Sequence, residues 1–341
     1  MRIKDVAREA GVSTATVSHV INKTKYVTDG TRQKVLRAIE TCNYYPNVHA
    51  RTLASGRSNI IGLLVSDIAN PFFPELIKSV EAAAFERGYN VILLNTNYDA
   101  KRAADYVRRL IELKVAGVAL MTSEIHPPLI DELERERVRV VFHNLGTVGE
   151  HMSNILVDYA VGIEEAVQHL VSLGHRKVVH IAGPRHFRSA LIRREAFLDS
   201  MKRHLPDGPM PEIYDGDFKF EGGRRAAYEI LNAKALPTAV IVSNDMMALG
   251  AMQEFRAAGL VVPRDISVVG FDDITFAAFS EPPLTTICSP RTEIGRRAVE
   301  ALMLTIERPS QPGMEIRIPT YLVIRSSTAP PSKPKRLRAR S

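Results

Sequence analysis

The sequence predicts a small all-α head followed by an α/β body that is built from two doubly wound, parallel-sheet lobes. The 341 residues suffice for two or three domains. Residues 3–43 carry only helical patterns, whereas from Asn59 onward short apolar runs alternate with amphipathic stretches. About 270 residues of such alternation exceed what one sheet of this type usually needs. We therefore expect two similar lobes, with a cleft between the carboxyl ends of their strands.

Composition is typical of a folded protein from a reducing compartment. Apolar residues make up 45% of the chain and charged residues 24%, which excludes global disorder. The two cysteines, Cys42 and Cys288, have no metal-ligand spacing and cannot form a disulfide framework. No apolar run approaches the ~18 residues of a membrane span, and the charged N-terminus lacks a secretory apolar region. We expect a cytoplasmic protein without a metal, a cofactor or a membrane partner.

Positive charge is concentrated at the two ends of the chain. The formal net charge is +7, of which residues 1–58 carry +6, residues 330–341 carry +5, and the remainder −4. A basic head on a mildly acidic body is typical of a nucleic-acid-binding module joined to another domain. A solvated charged face would have the same composition, so charge alone leaves both interpretations open.

The first two predicted helices are separated by a short turn. One helix spans Ile3 to Ala10 and ends at Gly11, and Ser13 is a suitable N-cap for a second helix over Thr14–Asn22. A third helix is predicted from Thr28 or Asp29 to about Asn43. We expect it to bury Val35, Leu36 and Ile39. Three helices in about 45 residues, with a Gly-containing turn between the first two, are typical of a helix-turn-helix domain over residues 1–45.

The second helix has an outward face suited to DNA. Val17, Val20 and Ile21 form an apolar stripe, so the side chains that share the outer face are Thr14, Ala15, Ser18 and His19. These are small or polar side chains that can approach base edges in a major groove. Three residues near the helix ends are placed to reach phosphates: Ser13, Thr16 and Asn22. An ordinary solvated helix face is the alternative.

A short hinge and linker are predicted over residues 46–58. Residues 47–55 follow Tyr45-Pro46 and precede Gly56. About two helical turns are marginal in water on their own, so this segment is a candidate for a helix that forms only when something docks on it.

The body shows repeated βαβ patterning over residues 59–329. The predicted strands cover residues 60–65, 91–94, 117–121, 138–142, 178–181, 239–242 and 266–271. These runs predict strands that are apolar on both faces. The predicted helices cover residues 74–88, 101–114, 128–136, 161–173, 190–204, 222–232 and 246–258. The Pro- and Arg-rich tail over 330–341 predicts a basic disordered segment.

Several ordered motifs resemble the LacI/GalR family of transcription regulators, and the body resembles the periplasmic sugar-binding fold. In the head and hinge the motifs are Ile3-Lys4-Asp5-Val6-Ala7, Ala10-Gly11-Val12-Ser13, Thr16-Val17-Ser18-His19-Val20-Ile21-Asn22, Tyr45-Pro46-Asn47 and Ala50-Arg51 with Leu53. In the body they are Asp67-Ile68-Ala69-Asn70-Pro71-Phe72-Phe73, Ser243-Asn244-Asp245 with Met247-Ala248-Leu249-Gly250, and Val269-Gly270-Phe271-Asp272-Asp273. The resemblance spans residues 1–329, and the head is most similar to that of purine-responsive members.

The resemblance implies that the hinge folds on an operator and inserts a leucine into the minor groove. Leu53 is the matching residue, with Asn47 and Arg51 beside it on the DNA. An apolar wedge unstacks a base step and bends the duplex, which permits more contact elsewhere. The alternative is that Leu53 packs on the body as part of the linker core.

The resemblance also implies a ligand site in the cleft. It places Asn70, Phe72 and Phe73 at one edge, after the first strand of the body. In the second lobe it places Arg193, Phe218, Asn244 and Asp272, and His143 follows the fourth strand. Aromatic faces, carboxylates and guanidinium groups suit polyhydroxylated ligands. Each residue has a plain alternative: the phenylalanines as core, Arg193 as a surface charge, and Asn244 and Asp272 as helix caps.

Three departures from relatives bear on the ligand. Phe187 stands where purine-binding members place an arginine, which argues against a purine. His143-Asn144 replaces the Asp-Arg pair of ribose-type binders, and Ser289 replaces a glutamine before Pro290. The run of residues 185–188 would suit an anionic sugar acid or would be a solvated loop, and the loop is slightly favoured.

We therefore predict a ligand-responsive DNA-binding repressor, with residues 59–329 forming a two-lobed effector-binding and dimerisation domain. A homodimer on a pseudo-palindromic double-stranded DNA operator follows from the small size of one helix-turn-helix. The tail contains one leucine, Leu337, which favours a dimer over a tetramer. We found no nucleotide-loop, zinc-protease or nucleophile-elbow motif, so an enzyme is not expected. A sugar-binding receptor or a sugar-modifying enzyme on the same body fold is the alternative.

Overall fold

The structure is a computed structural model, and it describes residues 2–22, 25–44, 58–122, 124–145 and 148–332. The chain divides into two compact units, Met1–Ser58 and Asn59–Ser341. Within the described part of the chain, no helix is long and apolar enough to cross a membrane.

The head unit contains three helices: α1 (Ile3–Ala10), α2 (Thr14–Asn22) and α3 (Asp29–Thr41). Gly11 ends α1 at φ 65°, a left-handed conformation that favours glycine, and its N–H donates to the carbonyls of the last turn. Ser13 Oγ accepts the backbone N–H of Thr16 at 3.1 Å, so it caps α2 as the sequence predicted.

The head core corrects one prediction for α3. Val35 and Ala38 are buried and Ile39 packs against them, but Leu36 is 48% exposed. The core-facing stripe of α3 repeats at three- and four-residue steps from Val35, and Leu36 lies about 100° off that stripe. The prediction that Leu36 is buried is therefore wrong.

The body unit contains two sheets, each with six strands among the described residues. The first sheet comprises β1 (Ile60–Val65), β2 (Asn90–Asn95), β3 (Gly117–Met121), β4 (Val140–His143), β5 (Met152–Asp158) and β11 (Glu315–Pro319). The second comprises β6 (Val178–Ala182), β7 (Ile213–Asp215), β8 (Ala239–Val242), β9 (Ser267–Asp272), β10 (Thr285–Cys288) and β12 (Tyr321–Val323). We call the parts of the body built on these sheets the first lobe and the second lobe.

Helices cover both sheets. Those of the first lobe are α4 (Phe72–Phe85), α5 (Ala100–Glu112), α6 (Pro127–Arg135) and α12 (Arg291–Glu307). Those of the second lobe are α7 (Tyr159–Ser172), α8 (Arg188–His204), α9 (Phe220–Leu231), α10 (Asp245–Ala257) and α11 (Thr275–Phe279).

The strand order is that of doubly wound α/β lobes. It runs β11-β5-β4-β3-β1-β2 in the first sheet and β12-β10-β9-β8-β6-β7 in the second. The strand pairs of both sheets are parallel except β10 with β12, which pair antiparallel. The predicted two-lobed parallel architecture is confirmed, with one antiparallel edge strand in the second lobe.

Several elements of the body were not predicted. They are β5, β7, β10, α11, α12, β11 and β12. The short strands among them lack a long apolar run, and β11 and β12 lie at sheet edges. β2 is apolar on both faces as predicted, but Leu93 is 41% exposed. β2 is the last strand of its sheet, and an edge strand keeps part of its surface in solvent.

Candidate functional site

A cleft lies where the carboxyl ends of the strands of both lobes meet, and the space there that no atom fills, open solvent at its mouth included, is about 480 Å³. Eight of its lining residues are those that the sequence singled out: Asn70, Phe72, Phe73, His143, Arg193, Phe218, Asn244 and Asp272. The other five are Ser66, Met121, Tyr98, Tyr159 and Ser189. The structure thus brings all eight sequence-selected side chains of the body to one cavity.

The fold explains why residues so far apart in sequence meet. Ser66 follows β1, His143 ends β4, Asn244 follows β8 and Asp272 ends β9. In parallel sheets these ends share one edge, so each strand delivers one side chain to the same cavity. Arg193 reaches it from the second turn of α8.

Arg193 is the central cation of the cleft. It is only 8% exposed, and its guanidinium carbon lies 4.0 Å from the ring centre of Phe271 and 4.4 Å from that of Tyr159. Its Nη1 donates to the carbonyl of Ser243, and its Nη2 lies 3.8 Å from Asp272 Oδ1. Its shielded Nε has no hydrogen-bond partner among the described residues. The surface-charge interpretation of Arg193 is therefore wrong, because two aromatic rings enclose its guanidinium group.

Asp272 is the central carboxylate. Burial raises its pKa to about 6, while the positive charges of Arg193 and Arg291 act in the opposite direction. The residue adopts φ 109°, a conformation that non-glycine residues rarely occupy. Its carboxylate is thus held in a strained loop beside a guanidinium group.

His143 contributes an uncharged ring from the first lobe. Burial and the charge of Arg193 lower its pKa to about 4. Its Nε2 is shielded from solvent and has no hydrogen-bond partner among the described residues. Such a nitrogen can bond a ligand hydroxyl without adding charge to the cleft.

The two cleft asparagines are already engaged in local hydrogen bonds. Asn70 Oδ1 accepts the N–H of Phe72 at 3.1 Å. Asn244 Oδ1 accepts the N–H of Met247 at 2.9 Å, and its Nδ2 donates to the carbonyl of Phe218 at 2.8 Å. Asn244 therefore caps α10, as its plain alternative predicted, while it also lines the cleft.

Aromatic rings from both lobes meet at the cleft. Tyr98 of the first lobe lies 5.5 Å from Phe187 and 6.4 Å from Phe218 of the second lobe, measured between ring centres. The ring of Phe218 packs directly on Gly183, where an added Cβ would lie 2.2 Å from it. Phe72 and Phe73 contact each other edge to face at 5.2 Å.

Tyr98 carries no signal in the sequence, because it follows β2 in a polar turn that contains no motif. The structure marks it by its backbone: Tyr98 and Phe218 adopt φ 60° and 64°. Strained conformations of non-glycine residues cluster at binding sites, where the surrounding structure enforces them. No signal of this kind is readable from residue type alone.

The basic side chains of the loop over residues 185–188 do not contribute to the cleft. Arg185 is exposed and pairs with Asp215 at 2.9 Å, and Arg188 donates to the carbonyl of Leu145. Neither arginine lines the cleft. These contacts favour the solvated-loop interpretation over an anion-binding one.

The head presents the predicted face of α2. Thr14, Ala15 and Asn22 are exposed, as is Ser13 at the cap. The part-exposed members of the face are Thr16, Ser18 and His19, and Asn22 Nδ2 donates to Ser18 Oγ at 3.1 Å. The hinge residues Asn47, Arg51 and Leu53, and the tail beyond Ser332, lie outside the described residues.

In the described part of the chain, no group of three or more His, Cys, Asp or Glu side chains is arranged to hold a metal ion.

Comparison with known proteins matches both units. Residues 2–47 match the model of bacterial regulatory proteins of the lacI family, and residues 167–328 match the periplasmic binding protein-like domain. The ribose operon repressor of Escherichia coli (strain K12) is 38% identical over 331 residues, which cover 95% of this chain and 99% of that protein. The HTH-type transcriptional repressor PurR of Photobacterium profundum is 38% identical over 326 residues, covering 95% and 98%.

A similar solved structure is the Lac repressor dimer bound to operator and the anti-inducer ONPF. Its TM-score is 0.85 at 29% identity, and the match covers 96% of this chain and 99% of that one. The relatives in these comparisons are repressors rather than enzymes.

Proposed function

This chain belongs to the LacI family of bacterial regulatory proteins, and on that premise we propose that it is a repressor whose DNA binding responds to a small sugar-like metabolite. It binds a pseudo-palindromic operator as a homodimer in the cytoplasm and uses no metal or cofactor. The effector occupies the cleft between the lobes.

One observation supports this ligand class most directly: the buried pair of Arg193 and Asp272 in an aromatic-lined cavity. A guanidinium group donates to hydroxyl oxygens and a carboxylate accepts from hydroxyl hydrogens, so the pair suits a polyhydroxylated molecule. Because the two charges offset each other, a neutral sugar requires no further counter-charge. The shielded Arg193 Nε and His143 Nε2 provide two more polar atoms for hydroxyl groups.

The sequence supports a sugar over a purine. The ribose operon repressor of Escherichia coli and PurR of Photobacterium profundum are equally identical to this chain, so overall identity does not choose the ligand class. Phe187 occupies the position where purine-binding members carry an arginine, and its ring contacts Tyr98 instead of offering a donor. We therefore assign a sugar, with a pentose as the first candidate because of the ribose operon repressor.

The DNA-binding face is assigned to α2 and the hinge. Its outer face carries the small and polar residues Thr14, Ala15, Ser18 and His19, with Ser13, Thr16 and Asn22 toward phosphates. Asn47, Arg51 and the wedge Leu53 complete the interface. An effector that binds two conformations of the body with different affinities changes the free energy of operator binding. This coupling free energy is typically ~1–3 kcal/mol.

The test is a thermal-shift panel of pentoses, hexoses, sugar acids, polyols and purines at millimolar concentration. A ligand at 100 times its Kd stabilises the folded state by ~2.7 kcal/mol. We expect a pentose or hexose to raise the Tm of the wild type.

The matched variants are Asp272→Asn in the cleft and Asp215→Asn outside it, where Asp215 pairs with Arg185. Asp272→Asn is expected to abolish the ligand-induced shift and Asp215→Asn to retain it. Stabilisation by purines alone, or a sugar shift that Asp272→Asn leaves intact, would contradict the assignment.

A further inference from the structure

The two lobes are joined by hydrogen bonds at Glu75, in the first turn of α4. Thr275, the first residue of α11 in the second lobe, donates its Oγ1 proton to Glu75 Oε1 at 2.8 Å. Arg291, the first residue of α12, donates from Nε to Glu75 Oε2 at 2.8 Å. Glu75 thus accepts from the second lobe with one oxygen and from Arg291 with the other.

Arg291 is anchored to the first lobe. Its helix, α12, packs on α4, and Ser79 Oγ donates to the carbonyl of Thr292 at 2.7 Å. A Cβ added at Gly295 would lie 2.7 Å from Ser79 Cβ, so the two helices approach each other closely at this point. The base of the Arg291 side chain therefore belongs to the body of the first lobe.

The guanidinium group of Arg291 nevertheless holds a turn of the second lobe. Its Nη1 donates to the carbonyl of Asp272, and its Nη2 donates to the carbonyl of Asp273 at 2.8 Å. These two residues adopt φ 109° and 57°, and such non-glycine conformations persist only where surrounding contacts enforce them. Arg291 is one of those contacts.

Two further contacts on this turn come from the second lobe. Asp245 Oδ2 accepts the N–H of Ile274 at 2.8 Å, and Arg325 Nη2 lies 2.6 Å from Asp273 Oδ1. Both groups belong to the same lobe as the turn. Arg291 differs from them, because it reaches the turn from α12 and is oriented by Glu75 on α4.

We propose that Arg291, oriented by Glu75, is a positioning residue that couples the Asp272–Asp273 turn to the arrangement of the two lobes. The Asp272 carboxylate is presented to the cleft when the lobes stand as in this structure, and the turn loosens when they separate. The role of Asp272 as a ligand group rests on the proposed function, whereas the coupling of the turn to the lobes does not.

The experiment is hydrogen exchange on the ligand-free full-length protein. Arg291→Gln removes the charged group that donates to both carbonyls. Glu75→Gln removes one of the two carboxylate oxygens, so that a single side-chain oxygen remains to accept from Thr275 and Arg291. We expect either variant to raise amide exchange in residues 272–279 about tenfold, because hydrogen bonds of charged groups hold the turn. Arg291→Lys keeps the charge but can donate to fewer acceptors at once. The rate of amide exchange in residues 272–279 of this variant should therefore lie between those of wild type and Arg291→Gln.

The matched control is Arg296→Gln on the same helix, since the ion pairs of Arg296 are with Glu293 and Glu300 of α12. It should leave residues 272–279 unchanged. Three results would overturn the proposal: no change in Arg291→Gln, a change in Arg291→Gln without one in Glu75→Gln, or equal acceleration in the buried strand Ala239–Val242. The last would mean general destabilisation. A sugar-induced thermal shift that Asp272→Asn leaves intact would instead count against the proposed function alone.

Discussion

Two cleft residues, Asp272 and His143, have pKa values shifted toward their neutral forms. Burial raises the pKa of Asp272 to about 6 and lowers the pKa of His143 to about 4. Both groups therefore titrate in the same acidic range, and their effects on stability have opposite signs. The guanidinium group of Arg193 lies beside them, against the rings of Tyr159 and Phe271.

The first prediction concerns Asp272→Asn. The folded-state pKa lies above the unfolded one, so the stabilisation from Asp272 is fully present below about pH 4 and is lost as pH rises through about 6. Relative to wild type, the variant should therefore gain unfolding free energy between pH 4 and 6, on the order of 2 kcal/mol. Urea unfolding at several pH values measures this difference.

His143→Gln is the matched comparison, and its trend should be reversed. The folded pKa of His143 lies below the unfolded value, so its contribution is present above about pH 6.5 and is lost as pH falls toward 4. The variant should lose unfolding free energy relative to wild type as pH rises through that window. Parallel trends for the two variants would refute the opposite shifts of the two groups.

At the scale of the element, α2 depends on its cap. Ser13 Oγ accepts the N–H of Thr16, and Val17 and Val20 bury the inner face against the head core. The cap and the apolar stripe together orient the outer face that carries Thr14, Ala15 and Ser18.

The second prediction is that Ser13→Ala destabilises the head by ~1 kcal/mol, because an N–H of the first turn loses its acceptor. Amide exchange in α2 of the full-length protein should rise, while the body strands keep their rates. Ser13→Thr retains a hydroxyl acceptor and serves as the control. Equal exchange in α2 of Ser13→Ala and wild type would show that the cap does not hold the helix.

The boundaries of the elements differ slightly from those that the sequence predicted. The helices of the body begin one or two residues earlier than predicted, as at Phe72 and Arg188, because polar or proline residues occupy the first turn. α12 was not predicted, although its buried residues Ile294, Ala298 and Leu302 recur at helical spacing. Four of its charged residues, Glu293, Arg296, Arg297 and Glu300, pair with one another on its surface.

At the scale of the whole molecule, charge is divided between DNA-binding and ligand-binding parts. Residues 1–58 carry +6 and residues 330–341 carry +5, while the intervening body is acidic. Lysine and arginine that neutralise phosphates release counterions, so binding weakens steeply as salt rises.

The third prediction is that the logarithm of the operator-binding constant falls steeply and linearly with the logarithm of the salt concentration. The slope should be about −0.9 for each phosphate that the protein neutralises. Fluorescence anisotropy across a salt series measures the slope. Deleting residues 330–341 serves as the comparison: an unchanged slope would assign the effect to the head, and a smaller slope would add the tail to the interface. A flat slope for the full chain would contradict the DNA-binding role of the basic head.

The sequence by itself determined the order of head and body, the strand–helix alternation of both lobes, and eight side chains that meet in the cleft. These follow from local patterns: helical periodicity, apolar runs and polar residues at strand ends, which chain topology then brings to one edge. The motifs of the head identified the family on the same local basis.

Only the tertiary structure decided which side chains are enclosed and which elements belong together. It placed the guanidinium group of Arg193 against the rings of Phe271 and Tyr159, and it brought Tyr98 to Phe187 across the cleft. It also joined Glu75 to Arg291. The physical reason is sequence distance. Burial, pKa and pairing depend on neighbours that lie up to 216 residues away, and no local pattern records them.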